Sequence, residues 1–254
     1  MSERTLAYTD IGSGPPVLAL HGAYSAGAEI HAFLDPVLPG HRRIYPDLPG
    51  HGDSATARVD SAAGAVAALL ELLDHAVGDE PVLVVGHSFG AHLARGLAAQ
   101  RPEQVRGLAL ICPMVPDDMH AEDAVIVEDD GSATTLPPEQ ADTFTGYFVV
   151  RTAATLARYR SAVLPVLDTW EDAAVERMMT NDALDMTQSY GHPVLIMTGR
   201  QDAWVGYRQH AGLLEAYPRA TSLVLADAGH ALPHERPEAF ASALQLWLRE
   251  ATQR

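Results

Sequence analysis

The chain predicts an α/β domain with a mostly parallel, doubly wound sheet and a helical insertion ahead of its last strands. Three observations carry that prediction. Short apolar runs alternate with helical patterns up to residue 112, which is how a parallel sheet covered by helices on both faces is written. The same rhythm returns after residue 191. Between them, residues 113–190 offer amphipathic helical patches and no run that reads as a parallel strand.

The elements follow in order. An edge strand is expected over residues 5–9, then buried strands over 17–20, 43–45, 82–85 and 108–111. Residues 62–77 and 89–100, rich in alanine and leucine, predict helices between them, and Pro102 ends the second. After residue 191 come a strand over 193–198, a helix over 205–217, a strand over 222–225 and a closing helix over 237–250. Pro237 suits the first turn of that helix. Within the insertion, residues 152–159 and 171–179 have helical spacing. Residues 1–112 and 191–254 are therefore read as one core domain and 113–190 as a helical cap over the strand ends.

Composition narrows the partners. The 33 acids outnumber 17 basic residues, all arginine, for a formal charge of −16, which opposes the phosphates of nucleic acid. The insertion holds 15 acids and 4 arginines, a balance of −11, against −5 for the rest. Its run over 117–130 has seven acids and no arginine, and reads as a solvated, flexible entry to the cap; if its field reaches the mouth, anionic substrates are disfavoured. No apolar run nears the roughly 18 to 20 residues of a membrane span. The first residues, MSERTLAYTD, lack the basic and apolar regions of an export signal. A single cysteine, Cys112, excludes an intrachain disulfide and a cysteine-built metal site. A cytoplasmic protein without membrane or nucleic-acid partners is expected, its oligomeric state open.

In an open parallel sheet, ligands bind beyond the carboxyl ends of the strands. Four junctions there bear chemistry: His21-Gly22-Ala23, Gly86-His87-Ser88-Phe89-Gly90, Gly199-Arg200-Gln201-Asp202 and Ala228-Gly229-His230. A serine hydroxyl becomes a useful nucleophile when a base takes its proton, and the base works best when a carboxylate fixes its tautomer. Ser88 sits at a strand-to-helix turn flanked by glycines that relieve the close approach of strand and helix. Ser88, Asp202 and His230 follow in the nucleophile–acid–base order that accompanies such a turn.

These motifs resemble the α/β-hydrolase fold superfamily over nearly the whole chain. Matching stretches are His21-Gly22, the turn from Asp47 to Ser54 (DLPGHGDS), the GHSFG elbow, Gly199 to Asp202, and Gly229-His230 followed by Glu235-Arg236-Pro237-Glu238. The resemblance implies Ser88 as nucleophile, Asp202 as acid and His230 as base, with the backbone N–H groups of Ala23 and Phe89 as oxyanion hole. It also places a cap at 113–190 and calls for no cofactor or metal. Serine at position 88 speaks against the branches that attack with a carboxylate, haloalkane dehalogenases and epoxide hydrolases.

Candidate pocket residues are Tyr24, Phe144, Tyr147 and Trp170, although apolar residues at helical spacing more often pack a core. Arg151, Arg158 and Arg160 could hold a substrate carboxylate, with surface charge the commoner role. Asp227 is a weaker choice of acid than Asp202, Asp47 and Asp53 shape a turn, and His21 shapes the oxyanion loop. His87, His92 and His210 lack metal-ligand spacing, and Cys112 reads as a small core residue. The leading expectation is a serine hydrolase that cleaves a small carboxylic ester or lactone through an acyl-enzyme. Carbon–carbon bond hydrolase, thioesterase or amidase, and cofactor-free perhydrolase chemistry stay open on the same three residues. A ligand receptor that kept them is the alternative of another class.

Overall fold

A computed structural model describes residues 6–57, 59–116, 119, 123–181 and 184–252. Strands β1 (Tyr8–Ile11), β2 (Pro16–Leu20), β3 (Arg42–Pro46), β4 (Val82–His87) and β5 (Val105–Ile111) occupy the first part of the chain. Two two-residue strands, β6 (Glu128–Asp129) and β7 (Val150–Arg151), pair with each other away from the main sheet. Strands β8 (Val194–Gly199) and β9 (Ala220–Leu225) complete a seven-stranded sheet in the order β1-β3-β2-β4-β5-β8-β9. Only β1 runs antiparallel to its neighbour.

The helices are α1 (Gly27–Leu34), α2 (Ala62–Ala76), α3 (Phe89–Gln100), α4 (Pro138–Tyr147), α5 (Ala153–Arg158), α6 (Asp172–Thr180), α7 (His210–Ala216), α8 (Leu232–Glu235) and α9 (Pro237–Thr252). Alternate side chains of each central strand enter different cores. Leu18, Val84, Leu110 and Ile196 pack with residues of α2, α3 and α7, whereas Val17, Val85, Ala109 and Met197 pack with α1 and α9. Burial on both faces is why these strands read as unbroken apolar runs. A third, smaller cluster joins Phe144, Phe148, Leu156, Tyr159 and Val163 to Ala231.

Several expectations shift. The edge strand lies over Tyr8–Ile11 instead of 5–9, and residue 5 is outside the described residues. Its Asp10 pairs with Arg42 of β3 at 2.6 Å, so polar contacts across an edge take the place of an apolar run. The helix expected from 205 starts only at His210, because the N–H groups of Trp204 and Val205 are turned onto Asp202 and Gly206 adopts φ 81°. Helices α1 and α4 lie outside the expected elements; α4 buries a single side chain, Phe144, so its periodicity is faint. The described residues of 113–190 add no strand to the main sheet, but β6 and β7 do form a short parallel pair there, too brief to leave a pattern. Part of the acidic run over 117–130, including Asp117, Asp118 and Glu122, lies outside the described residues.

Candidate active site

Strand β4 runs into α3 with one residue between them, Ser88, whose backbone takes φ 55° and ψ −119°. A non-glycine residue in this region is strained and persists only where its surroundings enforce it. Here the Ser88 N–H donates to Ile111 O at 2.9 Å, and Met114 N–H donates to Ser88 O at 3.1 Å. The flanking glycines permit the turn: a Cβ on Gly86 would lie 2.6 Å from Ala91 N and Cα, and one on Gly90 would strike the carbonyls of Leu20 and His21. The Ser88 hydroxyl makes no capping bond to α3, so it remains available to the cavity that Ser88 lines.

The other two residues converge from the far end of the chain. His230 Nδ1 lies 2.7 Å from Asp202 Oδ2, both side chains almost fully buried. Asp202 Oδ1 accepts the N–H groups of Trp204 at 2.9 Å and Val205 at 3.0 Å. Burial alone would raise the Asp202 carboxyl; the charge and hydrogen bond of His230, with those two N–H groups, outweigh it and hold the group below its ordinary value. The loops meet because Gly199 has no side chain, since a Cβ there would strike the carbonyls of Gly229 and Ala228. Glu235 then fixes the loop that carries His230, accepting Gly229 N–H at 2.6 Å with one carboxylate oxygen. Its other oxygen accepts Val149 N–H at 2.6 Å and Val150 N–H at 3.2 Å, which ties that loop to β7.

The loop after β2 supplies Ala23, buried and lining the same cavity; Phe89, at the start of α3, is fully buried. His21 holds that loop as a neutral imidazole: its Nε2 accepts Leu48 N–H at 2.9 Å, so its Nδ1 donates to Gly22 O at 2.7 Å. Burial, helped by His51, keeps His21 well below the ordinary histidine value. Asp47 closes the wall by accepting Gly27 N–H at 2.8 Å and Asp53 N–H at 2.9 Å.

A cavity of about 1090 Å³ stands over Ser88, and Tyr24, Tyr147 and Trp170 line it with His230. Phe144 does not belong to this wall. It is fully buried against Phe148 and Tyr159, because on α4 it faces the insertion's own core. The arginines named above serve structure: Arg151 donates to Phe148 O and Thr145 O, Arg158 to His234 O, and Arg160 to Thr135 Oγ1. Asp227 is exposed and pairs with Arg236 at 2.9 Å, away from the imidazole that Asp202 holds.

Two site residues escaped sequence reasoning. Glu29, on α1, is 3% exposed yet lines the cavity, and it accepts from Ser25 Oγ at 2.6 Å, Tyr147 OH at 3.2 Å and His234 Nε2 at 3.2 Å. Burial would raise its carboxyl, but the hydrogen bond and charge of His234, aided by Ser25, hold it below the usual range. A lone acid inside the apolar stretch GAEIHAFL was the available signal. Trp204, in the turn after β8, is the other. Among the described residues, one trio of potential metal donors, His87, Cys112 and His230, has its ligand atoms within 4.8 Å of one another. Burial pushes the Cys112 thiol well up, its Sγ contacts Gly229 O at 3.8 Å, and His230 Nδ1 is already engaged by Asp202. That chemistry describes a protonated core thiol beside a hydrogen-bonded imidazole and carboxylate.

The sheet order, the strained serine turn and the paired imidazole and carboxylate define an enzyme of the hydrolase type. The family model described as the alpha/beta hydrolase family matches residues 17–243, and the chain belongs to that family. It is 47% identical to the lipase LipV of Mycobacterium tuberculosis over 107 residues, an alignment covering 42% of this chain and 40% of that protein. It is 25% identical to a pimeloyl-[acyl-carrier protein] methyl ester esterase of Nitrosomonas europaea, over 91% of this chain and 94% of that one. Among solved structures, an alpha/beta superfamily hydrolase from Oenococcus oeni PSU-1 superposes with a TM-score of 0.89 at 26% identity, covering 100% of this chain and 98% of that one. Among the described residues, no helix is long and apolar enough to cross a membrane.

Proposed function

We propose that the chain is a serine hydrolase acting on a small carboxylic ester or lactone through an acyl-enzyme. The observation that carries this reading is that His230, paired with Asp202 at 2.7 Å, lines the same cavity as Ser88 at the tip of its strained turn. Ser88 Oγ attacks the carbonyl carbon while His230 Nε2 takes its proton, giving a tetrahedral oxyanion and an imidazolium that Asp202 stabilises. The N–H groups of Ala23 and Phe89 receive the oxyanion, a contribution of roughly 3 to 4 kcal/mol per donor in comparable sites. Collapse expels the alkoxide, which takes the proton from His230. Water then attacks the acyl-enzyme with His230 again as base, and the acid leaves as Ser88 regains its proton.

Residues 113–190 act in this reading as a cap, since Tyr147 and Trp170 of that segment line the cavity. The ester chemistry named for the lipase and the methyl ester esterase supports the reaction class. The lone free Cys112 suits a reducing, cytoplasmic setting. The test is Ser88→Ala beside wild type on esters and lactones of graded acyl length, with fluorophosphonate labelling. Turnover and labelling are expected in wild type alone, at unchanged melting temperature; full esterase activity in Ser88→Ala overturns the assignment.

A further inference from the structure

Trp204 contacts both members of the acid–base pair. Its N–H donates to Asp202 Oδ1 at 2.9 Å, leaving Oδ2 to His230. Its indole lies parallel to the His230 imidazole, the ring centroids 5.5 Å apart and the planes inclined by 5°. The indole is held in that attitude. Its Nε1–H donates to Gly146 O of α4 at 3.1 Å, and the rings of Tyr147 and Tyr24 flank it at 5.7 and 6.3 Å. Packing alone does not account for the residue, because Trp204 is 44% exposed whereas the core indole of Trp247 is 2% exposed.

The parallel ring has a chemical consequence. An aromatic face attracts a cation within about 6 Å of its centroid and a neutral ring much less. His230 is neutral before the nucleophile is deprotonated and cationic after it, so the attraction grows along the reaction and lowers its barrier. The other titratable groups facing His230 are held neutral or are already engaged by partners of their own. His87 of β4, its ring 4.9 Å away, is pushed down to about 4 by burial and by His230 itself. Burial lifts the Cys112 thiol and the Tyr147 hydroxyl well above their ordinary values. Glu29, the next carboxylate, is engaged by His234 and Ser25, and Glu235 by three backbone N–H groups.

We propose that Trp204 is a positioning residue for the base, its indole face stabilising the imidazolium of His230 while its N–H to Gly146 links that pair to helix α4. The inference rests on His230 acting as base for Ser88. It is tested on the full chain by the rate of Ser88 labelling with a fluorophosphonate and by kcat and KM on a small acetate ester. Trp204→Leu is expected to slow labelling and kcat roughly tenfold, with KM within about twofold, and Trp204→Phe to recover most of the loss. Fluorinated tryptophans keep the ring's shape but weaken its face, and guard against a misfolded leucine variant. Labelling should slow stepwise with fluorine number in wild type and stay flat in Trp204→Phe.

Equal labelling rates in wild type and Trp204→Leu overturn the proposal while leaving the serine mechanism intact. So does a leucine effect confined to KM, or a phenylalanine variant as slow as the leucine one. Absence of labelling in folded wild type overturns the serine reading itself, and this inference with it.

Discussion

Lowering the pH from about 7 to about 4 forces a proton onto His87, a residue with almost no room for its charge. The side chain is 4% exposed, its Nε2 lies 3.1 Å from His230 O, and burial, helped by the nearby His230, depresses it from 6.5 to about 4. The unfolded chain takes up this proton near 6.5 and the folded protein only near 4, so between those values the unfolded state binds more protons. Stability therefore falls as pH falls through that window and levels off below it. The gap between 6.5 and about 4 amounts to roughly 3 kcal/mol at full protonation, at about 1.4 kcal/mol for each tenfold change in proton affinity. In a domain of this size that is about 6 to 12 °C in melting temperature. His87→Gln can still donate to His230 O but does not titrate. Thermal unfolding of both proteins across the window isolates the histidine, because His21, His51, Glu29 and Asp202 are common to both. The wild type should lose melting temperature relative to the variant on acidification; a difference that stays constant from about pH 7 to about pH 4 refutes the reasoning.

Other expectations concern the site and its surroundings. Asp202→Asn should fold but lose about 10⁴-fold in kcat, because an amide cannot hold the His230 tautomer as a carboxylate does; steady-state kinetics beside a melting curve decide it. Gly90→Ala would drive a Cβ into the Leu20 and His21 carbonyls, and a cost of about 1 to 3 kcal/mol should appear as a melting point several degrees lower, with slower Ser88 labelling. Glu139, Asp142 and Asp168 line the cavity, and none of its described lining residues is an arginine. An ester bearing a carboxylate should therefore show kcat/KM about tenfold below its neutral analogue at low ionic strength, the gap narrowing as salt is added.

Legibility in the sequence followed the physics of each element. Central strands buried on both faces advertise themselves as apolar runs, and α3 is legible to the residue because its start is forced by the elbow and its end lies just short of Pro102. Ser88, Asp202 and His230 stand out as candidates because each follows a strand, where the fold concentrates chemistry. Tyr24, Tyr147 and Trp170 do line the cavity, but Phe144 shares their character and faces the opposite way. Nothing local distinguishes a pocket aromatic from a core one on a helix that buries a single side chain.

The sequence by itself determined the layered α/β class, the strained serine turn and the order of the three candidate catalytic residues. Those properties rest on periodicity and on glycines whose close approaches admit no side chain. Tertiary structure alone decided that Glu29, Tyr147 and His234 meet beside the cavity and that the Trp204 indole lies parallel to the His230 ring. Those contacts join residues as far as 205 positions apart, and the rotation of a helix or the course of a turn sets them. An acid on an apolar helix reads the same whether it faces solvent or a buried imidazole, and only the packed chain supplies the partner.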